Sequence, residues 1–145
     1  MKISFKTALI AAALMVPAFA TVPAFAQAPA ATTQAAVQGG SFVKKKYNIK
    51  GEWTVVQENG QTIIRFSDEF KTKSGPDLKV FLSPQSIGAV NGKTATDGAV
   101  LLGVLKNKKG GQDYVVPEGV NLANFGSVLV HCEQFSVLWG GGALS

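Results

Sequence analysis

The sequence predicts an all-β protein, a single antiparallel β-sandwich or barrel domain with short helices or none. Three observations carry that. Short apolar runs recur between Gly-, Pro- and Asn-containing turn signals from Ser41 to Leu144. Asn59-Gly60 is the favoured pair for a two-residue hairpin turn, and the runs on either side of it alternate in phase. Beyond Ala26 no long stretch repeats its apolar residues at helical spacing.

The first 26 residues have the order of a cleavable export signal. Lys2 and Lys6 precede an apolar run, Ala8 to Val16, that is too short to span a bilayer. The A-x-A pattern then occurs at Ala18-Phe19-Ala20 and Ala24-Phe25-Ala26. No cysteine lies near the cleavage point, so there is no lipobox, and no later stretch is long and apolar enough for a transmembrane helix. The expected location is periplasmic or secreted, with the chain not embedded in a membrane. Residues 27–40, QAPAATTQAAVQGG, hold no large apolar residue beyond Val37 and read as a disordered leader. Residues 41–145 are then the domain, with room for one modest core.

Loss of Lys2 and Lys6 leaves twelve basic residues against nine acidic ones. That mild excess is scattered, apart from Lys44-Lys45-Lys46 and Lys106-Asn107-Lys108-Lys109, which read as a solvated strand end and a solvated turn. No broad basic face with interleaved aromatics appears, so no nucleic-acid partner is expected.

Element by element, a loop at Asn59-Gly60 pairs Val55 with Ile64 and Trp53 with Phe66 on one face, and Thr54 with Arg65 and Val56 with Ile63 on the other. Ser74-Gly75-Pro76-Asp77 is a turn. Leu78 to Leu82 alternates, with Leu78, Val80 and Leu82 inward. Pro84 to Gly98 is a long loop, of a length that is often functional, yet its small residues offer no ligand constellation. Ala99 to Leu105 is apolar in both phases, which predicts a strand covered on both sides or a short buried segment. Tyr114-Val115-Val116 is a short strand stopped by Pro117. Val120 to Phe125 suits one helical turn, ended by Gly126 as its left-handed residue. Trp53 and Trp139 are expected in the core.

The last run holds the chain's single cysteine, Cys132, and its single histidine, His131. Strand alternation puts Val128, Val130 and Cys132 on one face, with Leu129 and His131 on the other. Adjacent residues therefore do not make a Cys–His pair unless a bulge intervenes, and a change of apolar phase predicts a bulge or corner near Glu133-Gln134. One histidine, one cysteine and no methionine after Met15 are too few for a mononuclear blue-copper site or a structural zinc site. C-x-x-C-H is absent, as are a serine nucleophile elbow and a phosphate loop. Cys132 cannot close an internal disulfide. It is either a small buried hydrophobe in a non-catalytic extracytoplasmic binding module, or a redox-active or cofactor-ligating thiol; the residues alone leave both open. No metal site is expected, and neither a cofactor nor an oligomeric state can be read from the residues.

The order of motifs is distinctive. Gly75-Pro76-Asp77-Leu78-Lys79-Val80-Phe81-Leu82-Ser83 is followed by Gly110-Gly111-Gln112-Asp113-Tyr114-Val115-Val116-Pro117, then by the strand from Ser127 to Cys132 and by Phe135 to Gly140. From Gly40 to Leu144 the chain resembles the DM-thirteen domain family, extracytoplasmic β domains often found beside DOMON domains. The resemblance implies electron transfer or redox chemistry outside the cytoplasm, with Cys132 as the active group and no other catalytic position. It also implies an extracytoplasmic redox protein as partner. Gly142 departs from the pattern, standing where the family has a small alanine, and this is expected to loosen the last strand.

Overall fold

Asn59 and Gly60 both take positive φ, 51° and 75°, the backbone a two-residue primed turn requires. That turn fixes the hairpin of β4 (Glu52–Glu58) and β5 (Gln61–Phe66) in the expected register, Trp53 opposite Phe66 and Val55 opposite Ile64. All four of these side chains are buried on one face, which is the inner face of a sheet.

The computed structural model describes residues 38–144. Besides the hairpin, the strands are β1 (Gln38–Ser41), β2 (Val43–Lys44), β3 (Ile49–Lys50), β6 (Lys71–Thr72), β7 (Leu78–Ser83), β8 (Val100–Val104), β9 (Gln112–Val115), β10 (Ser127–Cys132) and β11 (Val137–Ala143). Every pairing is antiparallel. One sheet runs β1-β4-β5-β9 and the other β2-β11-β10-β7-β8, with β3 and β6 as a separate ribbon. The two large sheets do not close on each other, so of the two expected architectures the chain adopts the sandwich. No α-helix occurs among the described residues.

The core lies between the sheets. Trp53, Val55, Ile64 and Phe66 come from the first, and Val80, Leu82, Val128, Val130 and Cys132 from the second. Phe42, where the chain passes from β1 to β2, packs edge-on against Phe66 and Phe70 at centroid distances of 4.8 and 5.3 Å. Both tryptophans are core residues.

The export signal over residues 1–26 and most of the leader lie outside the described residues. The end of the leader does not: Gln38–Gly40 form most of β1 and pair with Trp53–Val55. That strand has no apolar signature because Gly39 and Gly40 contribute backbone against Trp53 rather than side chains. Ala99 to Leu105 is not covered on both sides. It holds β8, an outermost strand, and Leu101 and Val104 are 48% and 61% exposed.

The expected helical turn is a single 3-10 turn, Leu122–Asn124, capped by the Asn121 side chain accepting from the Ala123 N–H at 3.0 Å. Gly126 is not left-handed; the chain leaves the turn extended, and Gly126 makes room for the backbone of Gln85. The long Pro84–Gly98 segment folds over the outer face of the five-stranded sheet. Its Val90 and Ala95 bury Phe81, Leu129 and Leu138 in a second apolar cluster.

Candidate functional site

Cys132 ends β10, opposite Leu78 on one side and Val137 on the other. It keeps the phase of Val128 and Val130, faces the inter-sheet core and has no solvent exposure. Its Sγ–H donates to the carbonyl oxygen of Pro76 at 2.8 Å. A carbonyl only accepts, so this contact belongs to the thiol and not to the thiolate.

His131 points the other way, as the alternation predicts. It lies beneath the Pro84–Gly98 segment with Nε2 2.8 Å from the Gly92 carbonyl, and Nδ1 is buried without a partner. The irregularity expected near Glu133-Gln134 is a corner: Glu133 to Ser136 close the hairpin into β11, with Ser136 at φ 52°. The bulge itself lies earlier, between Val130 and His131, and its extra residue on β11 is Trp139. Neither feature turns Cys132 out of the core.

On one side the sulfur lies against a surface turn, from Lys73 to Asp77, through the Pro76 carbonyl. Pro76 and Asp77 are exposed, while the sulfur just beneath them is not. Three hydrogen bonds pin the turn to the end of the sheet. These are the Cys132–Pro76 contact, Trp139 Nε1 donating to the Lys73 carbonyl at 3.3 Å, and the Glu133 N–H donating to the Asp77 carbonyl at 3.3 Å. Lys79 adds an ion pair to Asp77 at 3.3 Å and another to Glu133. The hydrogen bond to Glu133, helped by Asp77, holds its ammonium above the ordinary lysine value. The Trp139 ring reaches outward to Tyr47, with centroids 4.2 Å apart.

Gly75 is required at its place. A Cβ there would sit 2.5 Å from Cζ2 of Trp139, a separation real side chains do not adopt. Overpacking of this kind costs about 1–3 kcal/mol. Gly75→Ala is therefore expected to open the turn about 10–100-fold more often and to speed native-state labelling of Cys132 by the same factor. Stopped labelling read by intact mass checks this; an unchanged rate contradicts the turn's role as the cover.

The G-x-Q-x-Y run has a different task, which the sequence alone did not disclose. Gln112 Oε1 accepts from the Tyr114 hydroxyl at 2.7 Å and from the Asn107 N–H at 3.1 Å, while its Nε2 donates to the Asn107 carbonyl at 2.8 Å. The Tyr114 oxygen accepts in turn from the Lys106 N–H at 3.1 Å. This closed set ties the β8–β9 connection to the core. Burial pushes the Tyr114 phenol above its ordinary value, opposed by that N–H. On the outer face, hydrogen bonds to Asp113 and then Glu58 raise the Arg65 guanidinium, and Arg65 holds the Asp113 carboxyl below its usual range. These groups are far too exposed for the pairs to contribute more than about 1 kcal/mol.

No three of His, Cys, Asp and Glu gather in a metal-holding group among the described residues. No helix among them is long and apolar enough to cross a membrane. The arrangement is an open antiparallel β-sandwich whose thiol lies against the turn of its G-P-D-L run. The chain belongs to the Electron transfer DM13 family, which matches it over residues 41–143. No curated protein and no solved structure matches it.

Proposed function

We propose that this chain is an extracytoplasmic electron-transfer module that works through Cys132, and that the sulfur acts from beneath the Lys73–Asp77 turn instead of from an open cleft. One observation carries the reading. Two of the runs on which the sequence resemblance rests, G-P-D-L and the strand ending in cysteine, meet at a single contact, the Cys132 Sγ to Pro76 carbonyl hydrogen bond. Conversion of the thiol to a disulfide or a cofactor ligand removes the S–H proton that this contact uses. Redox state and the seating of the turn are thereby coupled. Export of the chain is supported by the charged, apolar and A-x-A order of residues 1–26. The electron donor or acceptor is a separate extracytoplasmic protein that meets the turn.

The test is purification of the exported chain without reductant, followed by intact mass and a visible spectrum. A mixed disulfide, an oxidised sulfur or a chromophore that reductant reverses is the expected result. A colourless chain of unmodified mass that oxidants leave unchanged in the folded state overturns it.

That outcome would favour a second reading, which one specific observation supports. Cys132 is wholly enclosed, in the same core cluster as Leu78, Val80 and Val130. On this reading the chain is a non-catalytic extracytoplasmic binding module with a structural cysteine.

A further inference from the structure

We propose that Lys50, Lys71 and Lys109 form a docking face for the acidic surface of a partner protein, beside the turn that covers Cys132. Strand pairing makes the face. Lys50 on β3 is opposite Lys71 on β6, and Lys71 is opposite Lys109 on its other side. The second register is fixed by the Thr72 N–H donating to the Lys108 carbonyl and the Gly110 N–H donating to the Phe70 carbonyl, both at 2.8 Å. Directly opposed residues project to the same side with Cβ atoms about 5 Å apart, so the three stems stand in a row. Their neighbours Ile49 and Thr72 turn inward and are buried, which leaves the lysines exposed.

Among the described residues no ion pair engages this row. The ion pairs among the described residues fall on Arg65 and Lys79, and they engage Glu58, Asp113, Asp77 and Glu133. Lone surface lysines splay apart in water at little cost. Three held in register on adjacent strands cannot separate at their bases, and like charges directly opposite destabilise a sheet. Retention of such a row at a cost in stability accords with the trade-off between stability and function.

The chemistry of the face selects the partner. Ammonium groups bind carboxylates as point charges, and the forked guanidinium that suits phosphate is absent, since the chain's arginine is held by Glu58 and Asp113. No exposed large apolar side chain lies on these strands, as insertion into a lipid surface would need. A hollow of about 480 Å³ lies along Lys50, Lys71 and Lys73. Lys73 is also the residue whose carbonyl receives Trp139, so the face runs directly into the turn over the thiol. Assigning the partner a redox role rests on the electron-transfer reading above; the binding itself does not.

The test uses the mature chain with a fluorescein-labelled ten-residue oligoglutamate, followed by anisotropy at low and at moderate salt. The wild-type chain is expected to bind and to release the probe as salt rises. Lys71→Glu places a carboxylate between two lysines. It should weaken binding at least about tenfold while raising the melting midpoint by about 1–5 °C, and the higher midpoint rules out misfolding as the cause of the loss. Equal binding by Lys71→Glu, or a lower midpoint, overturns the proposal. Retention on vesicles of phosphatidylglycerol and phosphatidylcholine at a salt level that releases the peptide also overturns it, in favour of a lipid surface. Cys132→Ser should bind the probe as the wild type does, so failure of the thiol chemistry and failure of the docking face are separate results.

Discussion

Gly142→Ala is expected to lower the stability of the domain by at least about 1–3 kcal/mol. A Cβ at Gly142 would fall 2.0 Å from Nε1 of Trp53, and Trp53 is fully buried between the sheets. The clash is with the rigid indole, and Trp53 lies in the core cluster with Val55, Phe66 and Val128, so relief requires the ring or the last strand to shift. The family resemblance implies alanine at this position, so glycine is expected from it to loosen the last strand. The structure reverses that: the glycine admits Trp53, whose buried Nε1 then has no hydrogen-bond partner. Chemical denaturation should show a lower midpoint at unchanged slope. A Trp53→Phe, Gly142→Ala double variant should recover part of the loss, since the two positions share one volume. Additive losses in that cycle would contradict the account.

Cys132→Ser is expected to abolish every reductant-sensitive change in mass or absorbance while the fold persists. The serine hydroxyl can donate to the same Pro76 carbonyl, so the buried polar atom stays satisfied. The expected cost is about 1–2 kcal/mol, the difference between burying a hydroxyl and burying a thiol. Any redox signal that survives in the variant would have to come from another group, and the proposal names none. A variant that fails to fold would be separated from loss of function by its far-ultraviolet dichroism and by Cys132→Ala, which removes the polar atom altogether.

Features set by neighbouring residues were legible in the sequence. The β4–β5 register follows from one dipeptide and a period of two, and the structure reproduces it pair for pair. The phase of β10 also held, with Cys132 inward and His131 outward, because alternation along a regular strand is a local property. The identity of the thiol's cover was half legible. The G-P-D turn was visible, but its closure onto Cys132 and Trp139 depends on residues 56 and 66 positions away along the chain.

What escaped was set at long range. The Pro84–Gly98 segment reads in the sequence as a long loop of often functional length with no ligand constellation, and its packing role is hidden because burial of Leu129 beneath it depends on where β10 lies in its sheet. β8 looked enclosed because an edge strand and a central strand can have the same apolar composition. Lys50 and Lys71 are isolated in the sequence, outside the two lysine runs, and only pairing of distant segments brings them together with Lys109.

The most direct measurement is the rate at which Cys132 reacts with a small aromatic disulfide in the native chain, followed as a function of denaturant. The account predicts reaction through local opening of the Lys73–Asp77 turn. Its rate should be nearly independent of denaturant at low concentrations, and its opening free energy should lie well below that of global unfolding. A sulfur that reacts only along the global unfolding line, with the full slope of the unfolding transition, would contradict it.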